Sequence, residues 1–326
     1  MPLRVGFGAI TSAFLLTATA LAQTPGQRTA AASYTVPRTS FGQPSLEGVW
    51  TQNFMMVMES TPSTPTLTVS ESDAKSVLDV FVKLTAAMAD SILDPEVLEL
   101  AHSTDGLPIV RGERRTRNVV LPADGRLPYT RDARKRSSRR GPAFDLDNHE
   151  ERPNWERCIT SLGLPPVTGI GTTSVNPRQI IQTPNQIVLH TEYGDEARII
   201  PFSTTHLPPE QHSALGDSIA RWEGETLVIE TIGLPERDRV RAFSNLIVTG
   251  DSKVIERFTR VSENELLYQY TVEDPKIYSA PWLAEYSLYK TEQRMFEHAC
   301  HEGNYSLQHI LQAQRLADKK TSKTSP

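Results

Sequence analysis

Cysteine is scarce: the 326-residue chain has two, Cys158 and Cys300. That excludes a cysteine-rich zinc module and a small scaffold held by many disulfides. A phosphate-cradling glycine loop is missing as well. TGIGTTS, at 168–174, has too few glycines at the wrong spacing and no lysine, so neither a dinucleotide fold nor a P-loop is expected. Gly-x-Ser-x-Gly is absent, which removes the nucleophile elbow of an α/β-hydrolase. No repeat of solenoid period occurs. Away from the N-terminus no apolar run has the length of a membrane span. Charge of one sign is not in strong excess, with 34 Lys and Arg against 39 Asp and Glu for a net of −5. Such mild acidity names no partner, and no nucleic-acid partner is expected.

The N-terminus carries the first positive signal. MPLRVGFGAITSAFLLTATALAQ has one early cation, Arg4, then an apolar stretch too short and too rich in small residues for an anchor. It ends in Ala20-Leu21-Ala22, the small-x-small pattern that signal peptidase cleaves. The expectation is a signal peptide over 1–22 and an exported protein, periplasmic or secreted, without a membrane anchor. Removal of that peptide leaves 33 basic against 39 acidic residues. In an oxidising compartment an even pair of cysteines is read as a disulfide.

Residues 23–44 are polar with scattered Pro and Gly, and read as a flexible arm. One β-rich domain is expected over 45–312, beginning with the aromatic strand Gly48-Val49-Trp50. A helical insert is expected over about 70–103. Ser70 caps it, acids fill its first turn, and Val77, Val80, Phe81, Leu84 and Met88 recur at helical spacing. Between 111 and 140 eleven basic residues stand against three acids, read as a solvated basic loop with an Asp124-Gly125 turn inside it. From residue 186 the pattern turns to hairpins, with tight turns at Gly194-Asp195, Gly224-Glu225 and Glu263-Asn264. WLAEYSLYKTEQRMFEHACHE continues the series. A short C-terminal helix carries Leu307, Ile310 and Leu311 on one face, and 313–326 reads as a disordered tail. The class is mainly β: an antiparallel lipocalin-like barrel or a sandwich.

Alternation sorts the strand faces. In KVIERFTR, Val254, Glu256, Phe258 and Arg260 share a face; Val228 shares one with Glu230, and Val188 one with His190 and Glu192. Ionisable groups are threaded among aliphatic ones, as in a cup whose apolar interior carries a few convergent polar groups; the competing reading places them on the solvent side of an open sheet. Arg198, Glu230, Glu256, Glu273 and His190 are the candidates for such an interior. A buried carboxylate moves a proton readily because desolvation raises its pKa, and an arginine forks onto a substrate carboxylate.

EHACHEGNYSL, at 297–307, gathers His298, Cys300, His301 and Glu302. Gly303 and Tyr305 spoil the two-histidine helix of a zinc protease, and the other histidines are scattered, so no metal site is expected. A cysteine–histidine nucleophile remains conceivable only with Cys300 free. With Cys300 bridged, His301, Glu302, Asn304 and Tyr305 form an acid/base platform beside the bridge.

The strings LEGVW, LPADGRLPYT, ERPNWERC, GDSIARWEGETLVIET, ERFTRV, YTVEDP and ACHEGNYSL together resemble a widespread family of exported bacterial proteins, over roughly 45–312; RGERRTR departs from its pattern. The resemblance implies a common fold and supports pairing Cys158 with Cys300. It transfers no catalytic residue. A weaker, fold-level likeness is to lipocalin-like barrels such as phenolic acid decarboxylases, which work with tyrosines, an arginine and a glutamate and no cofactor. The reading is therefore an exported, cofactor-independent lyase acting by decarboxylation or elimination on a small aromatic or phenolic carboxylate, with a role in degrading aromatic compounds. Arg198 binds the carboxylate, Glu230 or Glu256 shuttles the proton, His301 or Tyr305 deprotonates the phenol, and Glu273 is a further candidate site residue. The alternative is a small-ligand binding protein without turnover.

Overall fold

In the computed structural model, period-two alternation of apolar and polar side chains builds a mainly β protein. Residues 34–52, 57–77, 79, 107–137, 148–149, 157–160, 165–166, 177–235 and 246–324 are described. The expected signal peptide and most of the expected helical insert lie outside these residues. Thirteen strands occur among them: β1 (Gly48–Thr51), β2 (Thr68–Val69), β3 (Ile109–Val110), β4 (Glu113–Arg115), β5 (Val119–Leu121), β6 (Arg178–Gln182), β7 (Gln186–Thr191), β8 (Glu196–Pro201), β9 (Asp217–Glu223), β10 (Thr226–Ile232), β11 (Lys253–Arg260), β12 (Glu265–Glu273) and β13 (Trp282–Lys290). Ten of these form one antiparallel sheet in the order β8-β7-β6-β1-β13-β12-β11-β10-β9, with β5 added beside β13. Phe202, just past β8, bridges Ala220 of β9. The sheet thus curls until its two ends meet, a nearly closed barrel that leaves little free edge.

The turns explain the hairpins. Gly224 sits at φ +62° in the two-residue loop between β9 and β10, a conformation that costs glycine little. The β7–β8 turn uses Gly194 at φ +96° and Asp195 at φ +50°. The interior is filled by every second residue: Trp50, Ile180, Leu189, Ile229, Val254, Phe258, Tyr268, Tyr270, Tyr286 and Trp282 are buried. Tyr268 touches the rings of Phe258, Tyr270 and Tyr286 at centroid distances of 4.7, 5.4 and 5.0 Å, in the tilted and edge-on arrangements that aromatic quadrupoles favour.

The segment read as a basic loop is largely ordered. β2, β4 and β3 make a small second sheet that lies on the outer face of β12 and β13. Arg115 Nη2 donates to Glu285 Oε1 at 2.9 Å, and Gln269 Nε2 donates to Glu285 Oε2 at 2.9 Å. The Arg111 backbone N–H reaches Glu265 Oε1, and the Tyr289 hydroxyl donates to the Ile109 carbonyl. Arg117 ties three backbone carbonyls, those of Val119, Pro65 and Ala123. These arginines belong to an interface, and a further stretch, Arg131–Ser137, is helical. The arm also differs from expectation where it is described. Val36 is buried, and the Pro37 carbonyl accepts from the Ser45 N–H.

Helix over 71–77 starts where expected, the Asp73 N–H bonding Ser70 Oγ at 3.2 Å as an N-cap does; Val80, Phe81, Leu84 and Met88 lie outside the described residues. The C-terminal helix runs Tyr305–Thr324, so the tail is helical well past residue 312. Asn304 opens it, its Oδ1 accepting from the Leu307 N–H. Among the described residues no helix is long and apolar enough to cross a membrane.

Candidate functional site

Two places combine space with ionisable groups. The first is the barrel interior. Arg198 points inward from β8 and meets Glu256 from β11: Nη2 to Oε2 is 2.7 Å and Nη1 to Oε1 is 3.2 Å. Arg198 Nη2 also donates to Ser218 Oγ and Thr231 Oγ1 at 3.1 and 3.2 Å. The Tyr268 hydroxyl donates to Glu256 Oε1 at 2.7 Å. Glu256 is 0 % exposed, so this array is desolvated and its charges are matched within it. Burial, then the neighbouring Glu256 carboxylate, pushes the Tyr268 phenol well above its usual pKa; it stays a proton donor at physiological pH.

Register settles the remaining interior candidates. Glu256 lies opposite Ile229, which puts Leu227, Ile229 and Thr231 inside and Glu230 outside. Glu273 pairs with Lys253 at the outer surface, Nζ to Oε2 3.6 Å. His190 also faces outward and bonds Asp195 at 2.9 Å. The interior placement expected for Glu230, Glu273 and His190 is thereby corrected: each stands one residue out of phase with its strand's inward set. Glu230 joins a cluster that single-strand reading did not reveal. His206 contacts Asp217 through Nδ1 at 2.5 Å and Glu230 through Nε2 at 3.3 Å.

Arg178, on β6, was also missed. It faces inward, is 5 % exposed, and none of its three guanidinium nitrogens has a hydrogen-bond partner. It lines a cavity of about 10 Å³ together with Trp50, Thr191, Arg198, Tyr268 and Tyr286. That is the room of one water molecule, so the barrel is closely packed around this small gap. Arg198 itself has no free fork for a carboxylate, because Glu256 occupies it.

The second place lies at the end of the barrel where β7 turns into β8. Cys158 and Cys300 form a disulfide with a Cα–Cα distance of 5.8 Å. The chain leaving β13 crosses toward this turn: the Thr291 N–H bonds the Val49 carbonyl, and the Phe296 N–H bonds Glu192 Oε2 at 2.7 Å. The His298 ring then packs on Tyr193, centroids 4.4 Å apart. Between the disulfide loop, this turn and the start of the C-terminal helix lies a cleft of about 660 Å³, within the range of small-molecule sites. Asp195, Glu196, Glu297 and Glu302 line it, against the imidazoles of His298 and His301. His301 and Glu302 are thus brought to the cleft, whereas Tyr305 is 68 % exposed and does not line it. Among the described lining residues carboxylates outnumber imidazoles. Among the described residues no cluster of His, Cys, Asp and Glu has the arrangement of a metal site.

Compared with models of known protein families and with curated proteins, the chain matches none.

Proposed function

We propose that this is an exported small-ligand-binding protein, and that the cleft beside the Cys158–Cys300 bridge holds a small aromatic molecule that is neutral or cationic. The observation that carries the reading is the cleft itself: about 660 Å³, walled by a disulfide, with the Tyr193–His298 ring pair beside it. A disulfide at the wall of a site fixes loops that would otherwise have to be ordered by the ligand, and this preorganisation lowers the cost of binding. The bridge also fits an oxidising compartment.

A thermal-shift screen coupled to mass spectrometry tests it. Phenolic acids, the matching neutral phenols and aromatic amines are compared on the oxidised protein and on Cys158→Ser/Cys300→Ser. The expected result is stabilisation by phenols or amines over the acids, lost in the double variant. No shift with any probe, or shifts indifferent to the bridge, overturns the reading.

Lyase chemistry on a small aromatic carboxylate is the second reading, and one observation favours it: a buried carboxylate and phenol, Glu256 and Tyr268, bonded to each other within the barrel. Proton transfer through Glu256 would require it to release part of its fork with Arg198. A substrate losing one carbon dioxide on incubation, with turnover abolished in Glu256→Gln, would establish it.

A further inference from the structure

Among the described charged groups that face the barrel interior, Arg178 is the one whose side-chain nitrogens all lack a hydrogen-bond partner. Arg198 and Glu256 neutralise each other. Arg260 lies over the Trp50 ring, and its guanidinium donates to the carbonyls of Ser45, Ser262 and Glu263. Arg178 has neither an anion nor a carbonyl, although its nitrogens are all out of contact with solvent. A buried, unpaired guanidinium bears a large desolvation penalty with nothing to offset it. An arginine cannot shed the proton as a lysine would, so a small anion from outside the protein would supply the bonds its guanidinium lacks.

We propose that the barrel interior is an anion site in which Arg178 receives one small monoanion, of the size of a halide or of a carboxylate group. Four observations converge on it. The side chain is 95 % buried, being 5 % exposed. All three nitrogens are open for hydrogen bonds. A gap adjoins it whose volume, about 10 Å³, admits a single small group. The far wall of that gap is aromatic, where Trp50, Tyr268 and Tyr286 exclude competing water. A guanidinium in such a place binds an anion strongly because both bonding and charge are unscreened. The site is separate from the disulfide cleft, and the proposal does not depend on what the cleft binds. Register links the two spatially: Arg178 lies opposite Thr191, and Thr191 opposite Glu196, which lines the cleft.

The test is thermal denaturation of the full chain against increasing chloride or formate. Ionic strength is held constant with gluconate, which is too large for the gap. Wild type is expected to gain about 5 °C at an anion concentration a hundredfold above its dissociation constant. Whether chloride or formate acts at lower concentration identifies the source of the anion. Arg178→Met is expected to equal or exceed wild type in gluconate alone and to show no anion response. Arg178→Lys, which keeps the charge, should retain a weakened response, and it serves as the control should the methionine variant not fold. Absence of a wild-type response would overturn the proposal. So would the same response in Arg178→Met, or a wild-type-like response to gluconate itself.

Discussion

Replacing Glu256 by leucine removes one partner of a fully buried pair. It leaves the Arg198 guanidinium with the Ser218 and Thr231 hydroxyls, and it takes from the Tyr268 hydroxyl its bond to Glu256. The loss of one member of such a pair costs about 3–5 kcal/mol, because an uncompensated charge stays in the interior. Arg198→Met strands Glu256 in the same way and should cost about as much. The double variant carries no interior charge at this point. Ser218 and Thr231 still bond each other at 2.8 Å, so the residual penalty is mainly the Tyr268 hydroxyl's lost bond to Glu256, about 1–3 kcal/mol. Adding Tyr268→Phe should recover part of that. Urea unfolding followed by tryptophan fluorescence and far-UV circular dichroism measures each variant, and the midpoints are comparable where the m-value holds constant. The double variant should be more stable than either single one. If its loss instead equals the sum of the single losses, the two residues do not act as a pair and the account of the interior charge fails.

Opening the bridge with Cys158→Ser/Cys300→Ser releases a loop with a sequence separation of 142 residues, and the chain-entropy model gives about 5 kcal/mol as the upper end of the cost; an unchanged urea midpoint would show that the two segments are held by other contacts. Burial raises the phenols of Tyr268 and Tyr278, and it pushes Tyr289 up to about 12. A raised folded-state pKa means that the native state keeps protons the unfolded chain releases, so this stability is intact below the unfolded value near 10 and drains away as pH climbs above it. Absorbance at alkaline pH should therefore show these tyrosines ionising together with unfolding; smooth ionisation of all tyrosines in the folded protein would contradict their burial. Gly125→Ala should cost about 2 kcal/mol, since φ is +69° and a Cβ would lie 2.0 Å from Arg117 Nε. The same substitution at Gly42, where nothing stands within 4 Å of a Cβ, isolates the part due to φ alone.

How much was legible follows from how each register is fixed. The β11–β12 hairpin closes by a short turn, and the observed pairing is centred on Glu263, which sets Lys253 opposite Glu273. Counting outward from a two-residue turn at Glu263-Asn264 instead sets Val254 opposite Glu273, one residue out of register, and that slip moves Glu273 to the inward face. The connection from β10 to β11 is long, and no turn type fixes it. Strand alternation alone therefore could not tell that Glu230 and Glu256 fall on opposite faces. The inward set of β11 was read correctly because Val254 and Phe258 mark its apolar side. β6 was not recognised as a strand, and Arg178 was lost with it; the signal was the alternation of Arg178, Ile180 and Gln182 just before the Thr183-Pro184-Asn185 turn. The basic segment misled for another reason. Charge density reports solvation only when the charges lack partners, and Arg115 finds Glu285 far along the chain.

The disulfide does more than join two distant segments. Cys158 lies in the chain before β6 and Cys300 in the chain after β13, and these two strands flank β1 on either side. The segment after β13 starts beside Val49 and reaches Glu192 at the β7–β8 turn before the bridge pins it. Nothing in that segment, from Thr291 to Cys300, pairs as a strand, and Phe296 is 70 % exposed. Its position therefore rests on a few backbone bonds, the Tyr193–His298 ring contact and the bridge. Local stability of this kind is low unless a covalent tie raises it. The cleft owes its shape to that tie, whereas the barrel interior owes its shape to close-packed tyrosines and tryptophans that need none. Reduction should thus abolish ligand binding at the cleft while leaving the anion response of Arg178 in place, provided the barrel stays folded. The two sites are separable by one reagent.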